Sequence, residues 1–240
     1  MLTSIVMPVY NEGDSIKLAL DGVLSQVVGD VELLVVYDSP VDSTAEPAAA
    51  YARADPRVKP LLNTYGRGPA NALRFGIDNA AGDAVVITMA DGSDDARQIN
   101  ALASLVRSGF AVAAASRYSR GGRQTGGPFV KRTLSRIAGL SLYWLARVGT
   151  RDATNSFKGY ARWYLDQIEI ESTHGFEMGL ELVAKARRWR LPIAEIPTSW
   201  EDRSAGESNF RLWAWMPRYL RWYVHAFGPR VRRAVQGGEG

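Results

Sequence analysis

The chain has 240 residues, 29 lysines and arginines against 25 aspartates and glutamates, a net charge of +4, and no cysteine. Disulfides and thiolate metal sites are excluded, and a chain of this length buries a substantial core without such staples. No run approaches the roughly 20 apolar residues that span a bilayer, and the opening MLTSIVMPVYNE lacks a basic n-region and reaches Glu12 before any long apolar stretch, so neither a membrane span nor a leader is expected.

The first half alternates strand and helix signals, the pattern of parallel βαβ units. Ser4 to Val9 reads as a buried strand stopped by Tyr10-Asn11-Glu12-Gly13, with Asp14 or Ser15 capping a helix to about Gln26. Val31 to Val36 is a second strand, ending at Tyr37-Asp38-Ser39-Pro40, and a helix follows from about Ser43 to Arg53. A short strand from Val58 to Leu62 leads through Asn63-Thr64-Tyr65-Gly66-Arg67-Gly68-Pro69 into a helix from Ala70 to Ala80. Ala84 to Met89 is a fourth strand closed by Ala90-Asp91-Gly92-Ser93-Asp94-Asp95, then come a helix from about Asp94 to Val106 and a strand from Ala111 to Ser116. Ligands of open α/β sheets bind beyond the carboxyl ends of the strands. Asn11 and Glu12, Asp38, Asp91 and Arg117 all fall at such ends and are expected to share one crevice. Neither GxGxxG nor GxxxxGK[ST] follows a strand, which argues against dinucleotide and P-loop chemistry.

The second half is different. Lys131 to Arg147 reads as an amphipathic helix with Leu134, Ile137, Ala138, Leu142 and Leu145 on its apolar side. Gly175 to Arg188 is expected to be another helix and Ile193 to Ser199 a strand. Residues 96–151 contain no acid but ten arginines and lysines, and 208–236 again lack acids. Two such blocks point to a polyanionic partner. From Phe210 to Val235, Trp213, Trp215, Tyr219, Trp222 and Tyr223 interleave with arginines, a composition suited to an anionic headgroup region. It also suits nucleic acid, but no RNA-binding signature accompanies it, and nucleic acid is not expected as a partner.

The motifs resemble those of the family 2 glycosyltransferases, within them the polyprenyl- and dolichol-phosphate mannosyltransferase group. Met7 to Glu12 matches PxYNE, and Val36 to Thr44 matches VDDxSxDGT with Tyr37 in place of the first Asp. Asn63, Gly66 and Gly68 match a glycine-rich NxGxG loop, and Ser116-Arg117-Tyr118 matches SRY. Arg132 with Ser135-Arg136 matches RxxSR, Asp152 to Lys158 matches DxTxxF[RK], and Arg203 to Asn209 matches RxxGxS[KN]. Seven motifs in the family's order cover Ile5 to about Asn209. The resemblance implies a single GT-A-type α/β domain, a Rossmann-like, mostly parallel sheet flanked by helices, with amphipathic helices toward the C-terminus. It divides residues 1–209 into a nucleotide-sugar half, 1–118, and an acceptor half, 119–209, and leaves 210–240 as a membrane-associating tail. It implies inverting sugar transfer from a nucleotide diphosphate to a polyprenyl phosphate, with GDP-mannose as favoured donor and a UDP-sugar as the other option.

The resemblance also carries roles. Pro8, Tyr10, Glu12, Asp38, Asp42 and Asp91 fall at donor-nucleotide positions; Arg117, Lys131, Arg132, Ser135 and Arg203 fall at acceptor-phosphate positions. Asp91, Arg117 and Arg203 are the expected catalytic residues, and Asp91 with Ser93 the expected ligands of Mg²⁺ or Mn²⁺. The family's DxD is incomplete, because Met89 stands at its first Asp. A phosphate monoester, with a second pKa of about 6, is already a nucleophile at pH 7 and needs cations rather than a base. A hydroxyl acceptor, the alternative, would need a carboxylate base such as Glu177 or Asp152. A third reading is a non-catalytic partner subunit that docks on membranes. The expected location is peripheral, at the cytoplasmic face of an anionic membrane, with a membrane-protein partner as an option.

Overall fold

The computed structural model describes residues 1–201 and 212–231; the side chains of 131 and 212–215 also lie outside the description. Four runs rich in Val, Ile and Ala form the parallel strands β1 (Thr3–Pro8), β2 (Val31–Tyr37), β4 (Ala84–Ile87) and β5 (Val112–Ser116), each almost wholly buried. Near-continuous apolar runs are what a parallel sheet covered on both faces demands. With β3 (Val58–Leu62), β7 (Lys158–Ala161) and β8 (Ile193–Pro197) they make a seven-stranded sheet in the order β3-β2-β1-β4-β7-β5-β8. Six strands are parallel, and β7 runs antiparallel between β4 and β5. The carboxyl ends of β1, β2, β4 and β5 therefore share one edge, and β7 delivers its amino end, with the loop before it, to that same edge.

Helices α1 (Ile16–Leu24), α2 (Ala45–Ala54), α3 (Pro69–Asn79), α4 (Ile99–Arg107) and α7 (Met178–Arg188) flank the sheet, with the short α6 (Arg162–Leu165) after β7. α3 packs so closely on β1 and β2 that a Cβ at Gly76 would lie 2.4 Å from a Val6 methyl. α8 (Leu212–Ala226) packs on α7, with Trp222 buried and Lys185 Nζ 4.9 Å from its ring centroid. Among the described residues no helix is long and apolar enough to cross a membrane.

Several sequence expectations are corrected. Ser15 stands at the N-cap position of α1 but makes no side-chain cap bond: it ends a 3₁₀ turn that also holds Asp14, and its hydroxyl donates to the Glu12 carbonyl at 2.6 Å. Asp94 does not open α4; Asp95 caps a 3₁₀ turn that precedes it. The strand expected through Ser199 breaks at Thr198 into β8 and β9 (Ser199–Glu201), because β9 leaves the main sheet to pair with β6 (Arg123–Thr125). The helix expected from Lys131 to Arg147 is α5 (Phe129–Ser141), continued by a π-helical turn, Leu142–Ala146, and stopped at Arg147 in the left-handed region. Leu142 is buried, but Leu134, Ile137 and Leu145, assigned to the same apolar side, are exposed.

Candidate active site

Carboxylates shape the loops beyond β1 and β2 by binding backbone amides. After β1 the chain turns sharply at Asn11 (φ 55°), and Asp42 accepts from the amides of Asn11 (3.1 Å) and Thr44 (2.8 Å). The Glu12 amide donates to Thr44 Oγ1 at 2.9 Å, so the loops after β1 and β2 are zipped together. At the end of β2, Asp38 accepts from Asn63 Nδ2 and from the Gly68 amide, both at 2.7 Å. Gly68 has φ +118°, and a Cβ there would stand 3.0 Å from the His174 carbonyl oxygen, so only glycine fits this loop. Pro8 is half-buried and Tyr10 exposed on the same rim.

Beyond β4 three aspartates take different roles. Asp91 is half-buried and accepts from the amide of the buried Ser93 at 3.1 Å. Asp94 accepts from Thr88 Oγ1 and the Met89 amide, both at 3.1 Å; burial, with Asp91 nearby, pushes its pKa up to about 7. Asp95 is bound by the Arg97 guanidinium, which holds its carboxyl below the usual range. Among the described residues no three His, Asp or Glu side chains are grouped to hold a metal. The donor set of Asp91 and Ser93 fits a hard cation that takes one carboxylate from the protein and its remaining oxygens from a diphosphate and water, the usual arrangement for Mg²⁺.

The edge beyond β5 is built on a buried charge pair. Arg117, just after β5, grips Asp152 with Nε (2.7 Å) and Nη2 (2.8 Å), and its own amide donates to the same carboxylate at 2.9 Å. Asp152 is fully buried. Burial alone would raise its pKa, but the Arg117 charge and hydrogen bonds outweigh that and hold it low. Burial would likewise lower the guanidinium's pKa, and Asp152 more than reverses it. Arg117 Nη2 also donates to Ser135 Oγ on α5 at 3.2 Å, and Ser135 is bonded to Thr154 Oγ1 (2.7 Å) and the Tyr118 hydroxyl (3.0 Å). The rings of Tyr118 and Trp200 lie 5.0 and 5.9 Å from the guanidinium carbon. The amino end of β7 adds Lys158, fully buried, whose Nζ donates to the carbonyls of Ala153 and Asn155. Burial lowers its pKa to about 7, against the pull of Asp152.

The structure thus joins Arg117 to Ser135 directly. Arg132 is half-buried on α5 with its guanidinium carbon 5.8 Å from the Phe129 ring, the Lys131 side chain lies outside the description, and Arg203 lies outside the described residues. The sequence offers Asp152 as a base and not as the partner of Arg117; Tyr118, Thr154 and Lys158 fall inside matched motifs without a role of their own, and Trp200 lies in none. The motif DxTxxF[RK] held the signal, but only the antiparallel β7 reveals that its loop meets β5. Of the two carboxylates weighed as bases, Asp152 is committed to Arg117, whereas Glu177 is buried with Oε2 lacking a hydrogen-bond partner.

Residues 4–168 match glycosyl transferase family 2. The polyprenol monophosphomannose synthase of Mycolicibacterium smegmatis is 30% identical over 213 residues, spanning 86% of this chain and 80% of that protein. The undecaprenyl-phosphate mannosyltransferase of Micrococcus luteus is 28% identical over 210 residues, 85% of each. Among solved structures, glucosyl-3-phosphoglycerate synthase from Mycobacterium tuberculosis, in complex with Mn²⁺, UDP-glucose and phosphoglyceric acid, superposes with a TM-score of 0.71 at 18% identity, covering 95% of this chain and 80% of that one. That likeness is one of fold, the GT-A arrangement.

Proposed function

Because the chain belongs to glycosyl transferase family 2, we propose that it moves a sugar, mannose in the favoured reading, from a nucleotide diphosphate to a polyprenyl phosphate at a membrane surface. The observation that carries this is the Arg117–Asp152–Ser135 arrangement. A guanidinium held from one side by a buried carboxylate, and lying beside hydroxyls of Ser135, Thr154 and Tyr118, is pre-oriented for phosphate oxygens. It is a poor base site, since Asp152 is kept ionised and fully engaged. A phosphate acceptor needs no base.

In the reaction, a phosphate oxygen of the acceptor attacks the anomeric carbon as the bond from that carbon to the nucleotide diphosphate breaks. The configuration inverts and the nucleotide diphosphate leaves. Arg117 and Ser135 hold the acceptor, joined in the family reading by Lys131, Arg132 and Arg203. Pro8, Tyr10, Glu12, Asp38 and Asp42 hold the nucleotide; Asp38 does so while fixing the glycine loop. Bound Mg²⁺ or Mn²⁺ would neutralise charge growing on the leaving diphosphate, and Asp91 with Ser93 would hold it.

Relatives named for mannose transfer to polyprenyl and undecaprenyl phosphates favour mannose and a lipid acceptor. GDP-mannose is the expected donor and a UDP-sugar the rival. Melting curves with GDP, UDP and TDP separate them, because a bound ligand stabilises by RT ln(1 + [L]/Kd). Transfer of radiolabelled sugar to extracted lipid tests the acceptor. A water-soluble product lost in Glu177→Gln would instead establish a hydroxyl acceptor, with Glu177, whose Oε2 lacks a hydrogen-bond partner, as base.

A further inference from the structure

A cleft of about 540 Å³ opens along α3. Tyr65 and Arg67 from the loop after β3, Asn71 and Arg74 from α3, and Thr173 and His174 from the loop before α7 line it. None of the six has a part in the proposed reaction. Two observations set the cleft apart from the crevice at the strand ends. The Gly68 amide reaches Asp38 at 2.7 Å, whereas a Cβ on the same glycine would stand 3.0 Å from the His174 carbonyl oxygen, so Asp38 and His174 meet this loop from different directions. α3 also runs back from the carboxyl end of β3 toward the amino end of β4, and Arg74, three residues beyond Asn71, lies about 4.5 Å further from the strand ends.

The lining is cationic, rich in hydrogen-bond donors, and contains no carboxylate. Arg67 is exposed, and among the described residues no carboxylate pairs with it. Arg74 is steadied by its neighbours: its guanidinium carbon stands 5.4 Å from the centre of the Tyr65 ring, which meets the Phe75 ring edge-on at 5.1 Å. Asp78 is 3.8 Å from Arg74 Nε, too far for a hydrogen bond, so the donors of this fork stay open to a ligand. On the opposite wall Thr173 Oγ1 and His174 Nδ1 are bonded at 2.7 Å, which leaves Nε2 as the ring nitrogen for a ligand. Two guanidinium forks on one cleft select an anion, and phosphate above others, since their planar donors match its oxygens. The space is that of a small metabolite rather than of a bare ion. Beyond the arginines its walls offer an amide, hydroxyls and an imidazole, which suit a hydroxylated body. We infer that this cleft is a separate site for a sugar phosphate, with Arg67 and Arg74 on the phosphate and Asn71, Thr173 and His174 on the sugar hydroxyls. The site goes beyond the proposed reaction and does not depend on it.

The test is calorimetric titration of the full chain, with Mg²⁺ and saturating GDP or UDP, whichever raises the melting temperature more, so that the donor crevice is filled. Mannose 6-phosphate and glucose 6-phosphate are the probes, with inorganic phosphate and free mannose beside them. At least one sugar phosphate should bind saturably and one-to-one, inorganic phosphate at least about tenfold more weakly, the value of the lost hydroxyl contacts, and mannose not at all. Arg67→Ala/Arg74→Ala should weaken the sugar phosphate by at least about tenfold with the melting temperature unchanged. Arg53→Ala, exposed on α2, and Ser135→Ala, beside Arg117, should bind it as the parent does. No saturable binding up to about 10 mM, or binding that the double variant keeps, would overturn the inference. Loss in Ser135→Ala would overturn it by moving the anion to the edge beyond β5, and competition with the nucleotide by giving the cleft to the donor. Equal affinity for inorganic phosphate would overturn the assignment to a sugar phosphate. Failure of both nucleotides to bind, with the sugar phosphate still held by Arg67 and Arg74, would count against the proposed reaction alone.

Discussion

The two sides of the crevice are built on different electrostatic plans. On the proposed donor side, Asp38, Asp42 and Asp94 bind backbone amides and neutral side chains of the loops they shape. On the proposed acceptor side, Arg117 and Asp152 are a charge pair with almost no access to water. An amide-bound carboxylate can be lost for about 1–3 kcal/mol. A buried pair is costly to break, because the surviving charge has neither water nor partner. In the proposed reaction each plan suits its ligand: a nucleotide diphosphate is large and needs a shaped rim, whereas a single phosphate needs cations fixed in orientation.

The largest expected effect sharpens that contrast. Asp152→Asn should destabilise the fold by about 3–5 kcal/mol, since Arg117 is left buried and unpaired, whereas Asp38→Asn should cost about 1–2 kcal/mol. Denaturant titration of both variants decides it, and equal losses would break the comparison. Next comes Asp91→Asn. With Mg²⁺ or Mn²⁺ supplied, transfer should fall by about 100-fold or more with the melting temperature unchanged; near-parental turnover would remove Asp91 from the metal site.

A smaller effect separates the two sides by function. Arg203→Ala should lower transfer by about 10- to 100-fold, the value of one charge-assisted hydrogen bond, while GDP affinity measured by calorimetry stays put. An equal drop in nucleotide affinity would move Arg203 to the donor side.

How much of this could be read from the chain follows the same division. β1, β2, β4 and β5 announce themselves as short apolar runs closed by turn residues, so the strand ends that carry Glu12, Asp38, Asp91 and Arg117 are legible in the sequence alone. β7 could not. Its four residues, Lys-Gly-Tyr-Ala, show no apolar run and include a lysine whose burial depends on two backbone carbonyls. Without β7, the loop that brings Asp152 and Thr154 to Arg117 had no address. The apolar side of α5 is legible only in part, for a related reason. Periodicity identifies a stripe but not whether protein or something else covers it, and here Ile137, Trp144 and Leu145 face outward.

Lys158 sits between the two sides, and the smallest prediction concerns it. Burial lowers its pKa from the ordinary 10.5 to about 7. Between those values the unfolded chain carries the proton and the folded one does not, so the stability this group confers rises with pH across that window. Below pH 7 the full penalty of burying it remains, and above 10.5 none does. Asp94 has the opposite sign. Its pKa is raised from 3.8 to about 7, so the folded chain holds the extra proton and stability falls as pH climbs through that range. Together the two groups place a shallow stability minimum near neutrality. In Lys158→Met the carbonyls of Ala153 and Asn155 lose their donor, so the variant's absolute stability mixes several effects. The slope does not. Other titrating groups are common to both proteins, and the stability of the parent relative to the variant should grow between pH 7 and 9, by at most about 1.4 kcal/mol per pH unit. Asp94→Asn should change only the limb below pH 7. Denaturation curves at half-unit steps read both slopes, and parallel curves for parent and Lys158→Met would mean that the buried ammonium keeps its proton, with Asp152 holding a second cation beside Arg117.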